Sequence, residues 1–256
     1  MKHIKKKFRY EDSDFLIEFK KSKNTLTFNI DSKIDRRLLK DNYVLMKHNS
    51  GREVLNFPMK FKNVTFLVPI PDYTLMFYNH AYLLKPSLID TKDKLLKALR
   101  KRSSERTLCD YEIYTYFGHL SSFIFNLYCS LESYVNKCIS QRCIKVSKQK
   151  DKIELIEPQK NISLFDKFKI IFPQIYDSKN FWSEHIQYYQ CIVDLHNLRD
   201  ELAHTKSDND FNKTAEVDLF QRLVSFNPEG SLIAVRKLIE HYTPGYMVNC
   251  DCEKDF

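Results

Sequence analysis

Apolar and polar residues alternate over the first third of the chain. Leu26, Phe28 and Ile30 are separated by Thr25, Thr27 and Asn29, the two-residue period of a strand with one buried face. Phe15-Leu-Ile-Glu-Phe precedes them across a polar turn at Ser22 to Asn24. Tyr43-Val-Leu-Met and Val54-Leu-Asn-Phe flank Asn49-Ser-Gly51 as a hairpin. Val64-Thr-Phe-Leu-Val and Tyr73-Thr-Leu-Met-Phe flank a second turn at Pro69 to Asp72. About six strands are expected, forming a small sandwich or barrel-like sheet.

From Pro86 onward the period changes. Leu95, Leu96 and Leu99 mark a short basic helix that ends in Lys101-Arg-Ser-Ser-Glu-Arg106, a natural hinge. A long helix is expected from about Asp110 to Gln141, because Phe117, Leu120, Phe123, Ile124, Leu127, Leu131, Tyr134 and Val135 recur at helical spacing. Lys145 to Asn161 is polar and reads as a loop. Ser163 is placed to cap a helix over Leu164 to Phe172 that Pro173 stops. A third helix opens at Asn180 or Ser183 and carries Tyr188, Cys191, Leu195, Leu198 and Leu202. Ala215 to Phe226 and Ser231 to Tyr242 complete a bundle, with Asn227-Pro-Glu-Gly230 as the break between them. The expected class is α+β: a β-rich domain over 1–90, a basic helical linker over 91–106 and a helical bundle over 107–256.

Charge and glycine content narrow the chemistry. Residues 1–106 hold 24 Lys/Arg against 12 Asp/Glu, whereas residues 107–256 hold 17 against 21, so a phosphate-collecting face belongs mainly to the first part. The whole chain has four glycines, no two close together, which leaves no glycine-rich loop to cradle a nucleotide phosphate. Seven cysteines without framework spacing suggest reduced thiols in a cytoplasmic protein. Cys250 and Cys252 beside Asp251 and Glu253 are read as a solvated tail rather than a metal site. The most apolar long segment, Phe117 to Ile139, contains Asn126, Glu132, Asn136 and Lys137, so no membrane span or signal peptide is expected. Phe57, Phe61, Phe66, Tyr73 and Phe77 alternate as core residues do, with base stacking as the alternative.

The third helix ends in Leu195-His-Asn-Leu-Arg-Asp-Glu-Leu-Ala-His-Thr-Lys206. Leu195, Leu198 and Leu202 form its apolar stripe, and His196, Asp200 and His204 follow one polar stripe at i, i+4 and i+8. Asp200 can accept a hydrogen bond from either histidine, and Arg199 offers a fork that fits phosphate oxygens. An imidazole that moves protons and a guanidinium that balances phosphorane charge suffice to cleave RNA through its own 2′-hydroxyl, with no metal or cofactor. Arg199 and His204 are separated by about 140° on a regular helix, so either the helix end distorts or two copies of the site meet. Three residues in line over two turns rarely wrap one ion, which disfavours His196, Asp200 and His204 as metal ligands.

Arg199-Asp-Glu-Leu-Ala-His204 resembles the R-x4-H pattern of HEPN domains. The resemblance extends over about residues 107–245: Phe125 to Asn136 resembles their long first helix, Leu164 to Phe172 the second and Gly230 to Tyr242 the closing one. It implies a homodimer in which Arg199 and His204 of both copies form one metal-independent ribonuclease site. Asp200 would be catalytic beside them, His196 would support the site, and Glu132 would reach it from the first helix. Many members act in bacterial defence against phage or in toxin systems, which implies RNA as substrate and an antitoxin or trigger protein as a further partner. Asp200 follows the arginine where the family often has Asn, His or Asp. Lys206 replaces the tyrosine that some toxin subtypes place two residues after the histidine. Some HEPN domains are not nucleases, so a non-catalytic dimerisation or binding module is the competing expectation.

Overall fold

The computed structural model describes residues 3–9, 20–21, 25–29, 42–49, 51–105, 109–140, 146–149, 152–155, 162–176, 180–204 and 213–250. The fold is α+β, with an N-terminal sheet followed by a region built mainly of helices. The chain divides into two compact units, Lys6–Met76 and Met1–Lys5 together with Phe77–Phe256.

Four strands, β1 (Thr25–Asn29), β2 (Tyr43–Lys47), β3 (Glu53–Phe61) and β4 (Val64–Pro69), form one sheet in sequence order. β1 and β2 are parallel, whereas β2–β3 and β3–β4 are antiparallel. The expected hairpin at Asn49 to Gly51 forms, with Gly51 at φ +80°, a backbone region that glycine enters without strain. Its small core joins Leu45 and Leu55 to Tyr43 and Phe57. The strand expected at Phe15 to Phe19 lies outside the described residues.

The strand expected at Tyr73 to Phe77 is instead the start of a long helix, α1 (Tyr73–Glu105). Asp72 governs the outcome: its carboxylate accepts from the Leu75 N–H at 3.3 Å and its carbonyl from the Met76 N–H at 2.9 Å, as an N-cap does. Leu75, Tyr78, Ala81, Leu88 and Leu95 are then buried at helical spacing through Pro86. Residues 73–90 are therefore helical rather than β-rich, and the basic segment from 91 to Glu105 completes this helix. The sheet has four strands among the described residues, fewer than expected.

The aromatic residues of the β3–β4 hairpin overturn a second expectation. Phe61 and Phe66 are 57% and 45% exposed, and the register places them on one face with Met59 and Val64. They are not core residues. Tyr73 is also exposed, with the Arg9 guanidinium 5.9 Å from its ring centroid.

The remaining helices are α2 (Asp110–Ser140), α3 (Leu164–Asp166), α4 (Phe172–Ile175), α5 (Phe181–Glu184), α6 (Tyr189–Ala203), α7 (Lys213–Ser225) and α8 (Pro228–Tyr242). α2, α6 and α8 pack against one another around Leu120, Phe123, Leu127, Leu131, Leu195, Leu198, Val235 and Leu238. Segment 145–161, read as a loop, contains a hairpin of β5 (Val146–Gln149) and β6 (Lys152–Leu155). Its alternating Val146, Ile153 and Leu155 supply the β-propensity that the polar composition masks. Pro173 does not stop the helix before it. A π-helical stretch, Lys167–Ile171, joins α3 to α4, and Pro173 sits at the start of α4, where a missing N–H costs little. Ser163 caps α3 as expected, accepting from the Asp166 N–H at 3.1 Å.

The tail is not wholly solvated. Lys5 donates to the Val248 carbonyl at 2.7 Å and Cys250 to that of His3 at 2.8 Å, while Asn79 hydrogen-bonds both the N–H and the carbonyl of Ile4. Cys252 lies outside the described residues. None of the described cysteines, Cys109, Cys129, Cys138, Cys191 and Cys250, is in a disulfide. Among the described residues no helix is long and apolar enough to cross a membrane.

Asn227 caps α8 by accepting from the Gly230 N–H at 2.9 Å. A Cβ at Gly230 would lie 2.7 Å from the Asn227 side-chain amide and 3.3 Å from the Cys191 sulfur. Helix propensity alone favours Gly230→Ala by about 1 kcal/mol. Displacing the Asn227 cap costs about 1 kcal/mol and offsets that gain, so urea denaturation is expected to show no stabilisation of Gly230→Ala.

Candidate functional site

The Arg199–His204 segment closes α6, where Leu195 and Leu198 fix the helix against the core and turn the intervening residues outward. Glu201 forms an ion pair with Arg222 of α7, which anchors this helix end. The Arg199 guanidinium lies 4.7 Å over the centroid of the Tyr128 ring, from α2. It donates to Asp200 Oδ1 at 2.8 Å and stands 3.9 Å from Glu132 Oε1. Burial works against its charge, but the Asp200 hydrogen bond and the Glu132 carboxylate outweigh this and raise its pKa. The side chain remains 28% exposed.

His196 has partners at both ring nitrogens. Nδ1 is 3.1 Å from the Tyr128 hydroxyl and Nε2 is 3.5 Å from Asp200 Oδ2. Its ring stacks on Tyr128 at 22° and meets Phe165 edge-on at 5.1 Å. Tyr128 donating to Nδ1, with the Nε2 proton facing Asp200, satisfies a neutral imidazole. Burial, and then the Glu132 charge, push the Tyr128 phenol above its ordinary pKa, which keeps it a donor.

Asp200 thus contacts His196 and Arg199. It does not bridge to His204. α6 ends at Ala203, and His204 leaves the helix at φ −126°, ψ 53°, with its N–H donating to the Asp200 carbonyl at 2.9 Å. The regular-helix separation of Arg199 from His204 therefore does not apply. The His204 residue is exposed, and among the described residues its ring has no hydrogen bond or ion pair. The structure brings Glu132, His196, Arg199 and Asp200 into one network and leaves His204 at its edge, facing solvent.

Three members of the network were not singled out in the sequence. Tyr128 stands one turn before Glu132, a spacing that would have identified it had the polar face of α2 been traced. Phe165 and Lys167 carried no such signal, because they come from a short helical segment remote in sequence from both α2 and α6. Lys167 is buried and donates to Asn136 Oδ1 at 3.4 Å. Burial lowers its pKa, opposed by the Glu132 carboxylate. Glu132 thus faces two cations, Arg199 and Lys167, a setting that makes it a counter-ion rather than a free base.

Tyr128→Phe keeps the ring beneath Arg199 and removes the hydroxyl from His196. A stability loss of about 1 kcal/mol is expected from the lost hydrogen bond, whereas Tyr128→Ala, which also removes the cation–π contact, should cost more in a denaturant titration.

No protein-family model matches the chain, and no curated protein or solved structure matches it.

Proposed function

We propose that this chain is a metal-independent endoribonuclease of the HEPN type, acting as a homodimer in bacterial anti-phage defence or a toxin system. The observation that carries the reading is the release of His204 from the end of α6, exposed, five positions after a partly exposed arginine already seated on an aromatic ring. In the reaction His204 takes the proton of the 2′-hydroxyl as its oxygen attacks phosphorus. The 5′-oxygen leaves and takes a proton from solvent, giving a 2′,3′-cyclic phosphate and a 5′-hydroxyl end. Arg199 balances charge on the phosphorane, and one copy supplies the imidazole while its partner supplies the guanidinium. Asp200 and Glu132 hold Arg199, His196 holds Asp200, and the three act as positioning residues. An antitoxin or trigger protein is the expected regulator.

The exposed Phe61 and Phe66, with Lys60 and Lys62 on the same hairpin, suit the stacking of unpaired bases and give the sheet unit a role in holding RNA. The experiment is an RNA digestion in EDTA with products resolved by end chemistry. Cyclic phosphate ends are expected, and a 3′-hydroxyl product would contradict the mechanism.

One observation favours the second reading, a non-catalytic binding module. Arg199 already has Asp200 and Glu132 as partners, and a phosphate must compete with both. That reading expects dimers without RNA turnover by pure protein.

A further inference from the structure

A second cluster of chemistry-bearing side chains lies where α5 meets α8. Glu184, His185 and His241 each present one ligand atom, and these atoms lie within 4.8 Å of one another. Glu184 ends α5, His185 is the residue that terminates it at φ −135°, ψ 44°, and His241 belongs to the last turn of α8. We propose that these three residues bind one divalent transition-metal ion of the zinc class. This goes beyond the ribonuclease reading and does not depend on it.

Two imidazoles and one carboxylate are a borderline-soft donor set that suits zinc, and three protein ligands leave a fourth position for water or an exogenous ligand. The framework is held from several sides. The His185 N–H donates to the Phe181 carbonyl at 2.8 Å, and its own carbonyl accepts from Tyr188 at 3.0 Å. The Phe181 N–H donates to the Tyr242 hydroxyl at 3.2 Å, which ties α5 to α8 beside His241. Asn180 caps α5 through the Trp182 N–H at 3.0 Å. Both histidines therefore sit on backbone that is fixed before any ion arrives.

Phe181 packs against both imidazoles, 5.0 Å from His185 and 5.6 Å from His241 between ring centroids, and Tyr242 flanks His241 at 4.8 Å. These rings wall the inner side and exclude water there. The Glu184 side chain is 56% exposed and stands 3.7 Å from His241 Nδ1, so the outer side is open to an entering ion. Donor atoms around a tetrahedral zinc are about 3.3 Å apart, given metal–nitrogen bonds of about 2.0 Å. The widest pair of donors must close by up to about 1.5 Å, through rotamer changes at the exposed Glu184 and the half-buried His185.

The test uses the full chain, purified without a polyhistidine tag, stripped with EDTA, kept reduced and titrated with zinc chloride by calorimetry. One ion per chain is expected, with affinity lowered about 10-fold or more in Glu184→Gln and lost in His185→Ala. Cys250→Ser should leave binding unchanged. Glu184→Gln alters an exposed side chain, so it remains informative if a change at the less exposed His241 prevents folding. Cobalt(II) should give the spectrum of nitrogen and oxygen coordination without a thiolate charge-transfer band. No ion taken up at equimolar zinc, binding unaffected by Glu184→Gln and His185→Ala, or binding that disappears in Cys250→Ser would each overturn the proposal.

Discussion

Replacing His204 by alanine is expected to reduce RNA cleavage in EDTA by about 10²–10⁴-fold, the range that a positioned proton-transfer group contributes. The ring is exposed and forms no hydrogen bond or ion pair among the described residues, so its loss should leave stability and dimerisation unchanged. Arg199→Ala should lower cleavage by about 10²–10³-fold, as removal of a charge-stabilising donor does. It should also destabilise the protein, because it leaves Glu132 and Asp200 without the cation they share and uncovers the Tyr128 face. Arg199→Lys should restore charge without restoring rate, since an ammonium lacks the planar fork that spans phosphate oxygens. Rates are read on a labelled oligonucleotide, with circular dichroism and sedimentation as controls. A folded, dimeric His204→Ala that still cuts at the parent rate would remove histidine from the mechanism.

A steep loss of stability above pH 10 is the second large effect. Tyr78, Tyr116, Tyr128 and Tyr134 are nearly inaccessible to solvent. Burial raises the pKa of all four, that of Tyr116 to about 12. Each hydroxyl has a partner that favours the protonated form. Tyr78 donates to the Leu232 carbonyl at 3.1 Å, Tyr116 to that of Leu223 at 3.0 Å and Tyr134 to that of Ile239 at 3.5 Å, while Tyr128 faces His196. In the unfolded chain these phenols ionise near pH 10. Below that pH both states hold the proton and these groups give no pH dependence. Above it the unfolded state releases protons that the folded state keeps, so unfolding becomes easier as pH rises toward the folded values. Each fully buried phenol contributes about 1.4 kcal/mol per pH unit in this window. Four together exhaust a typical stability of about 5–15 kcal/mol within two or three units. Urea midpoints measured from pH 8 to pH 12 should be flat to about pH 10 and then fall. Tyr78→Phe should make that fall shallower, and a midpoint indifferent to pH through pH 11 would refute the argument.

The helical region was the more legible part of the sequence because its signals are local and redundant. The α2 stripe from Leu120 to Val135 repeats over many turns, and Ser163 caps the helix expected after it. Asn180, by contrast, caps only the short α5, the third helix proper begins at Tyr189, and Asn227, read as a break, caps α8. Tyr73 to Phe77 was misread because five apolar-rich residues satisfy both periods, and only the Asp72 cap separates them. Phe61 and Phe66 alternate as core residues do. Periodicity shows which side chains share a face, not whether anything covers that face. In the candidate site, the α6 stripe predicted that His196 and Asp200 would meet, and they do. The same spacing also offered His204 to Asp200. That pairing fails because the helix ends one residue too soon, a backbone event that side-chain spacing does not encode. Tyr128, Phe165 and Lys167 enter from elements far away in sequence, and only tertiary packing brings them to Arg199, His196 and Glu132 respectively.

The central claim is that the imidazole and the guanidinium acting on one phosphodiester come from different copies of the chain. Mixing His204→Ala with Arg199→Ala, under conditions where native mass spectrometry shows that mixed dimers form, tests this most directly. Each mixed dimer keeps one intact Arg199 and one intact His204 on opposite copies. The account predicts RNA cleavage well above that of either variant alone. Cleavage that stays at the level of the two separate variants, with mixed dimers demonstrably present, would contradict it.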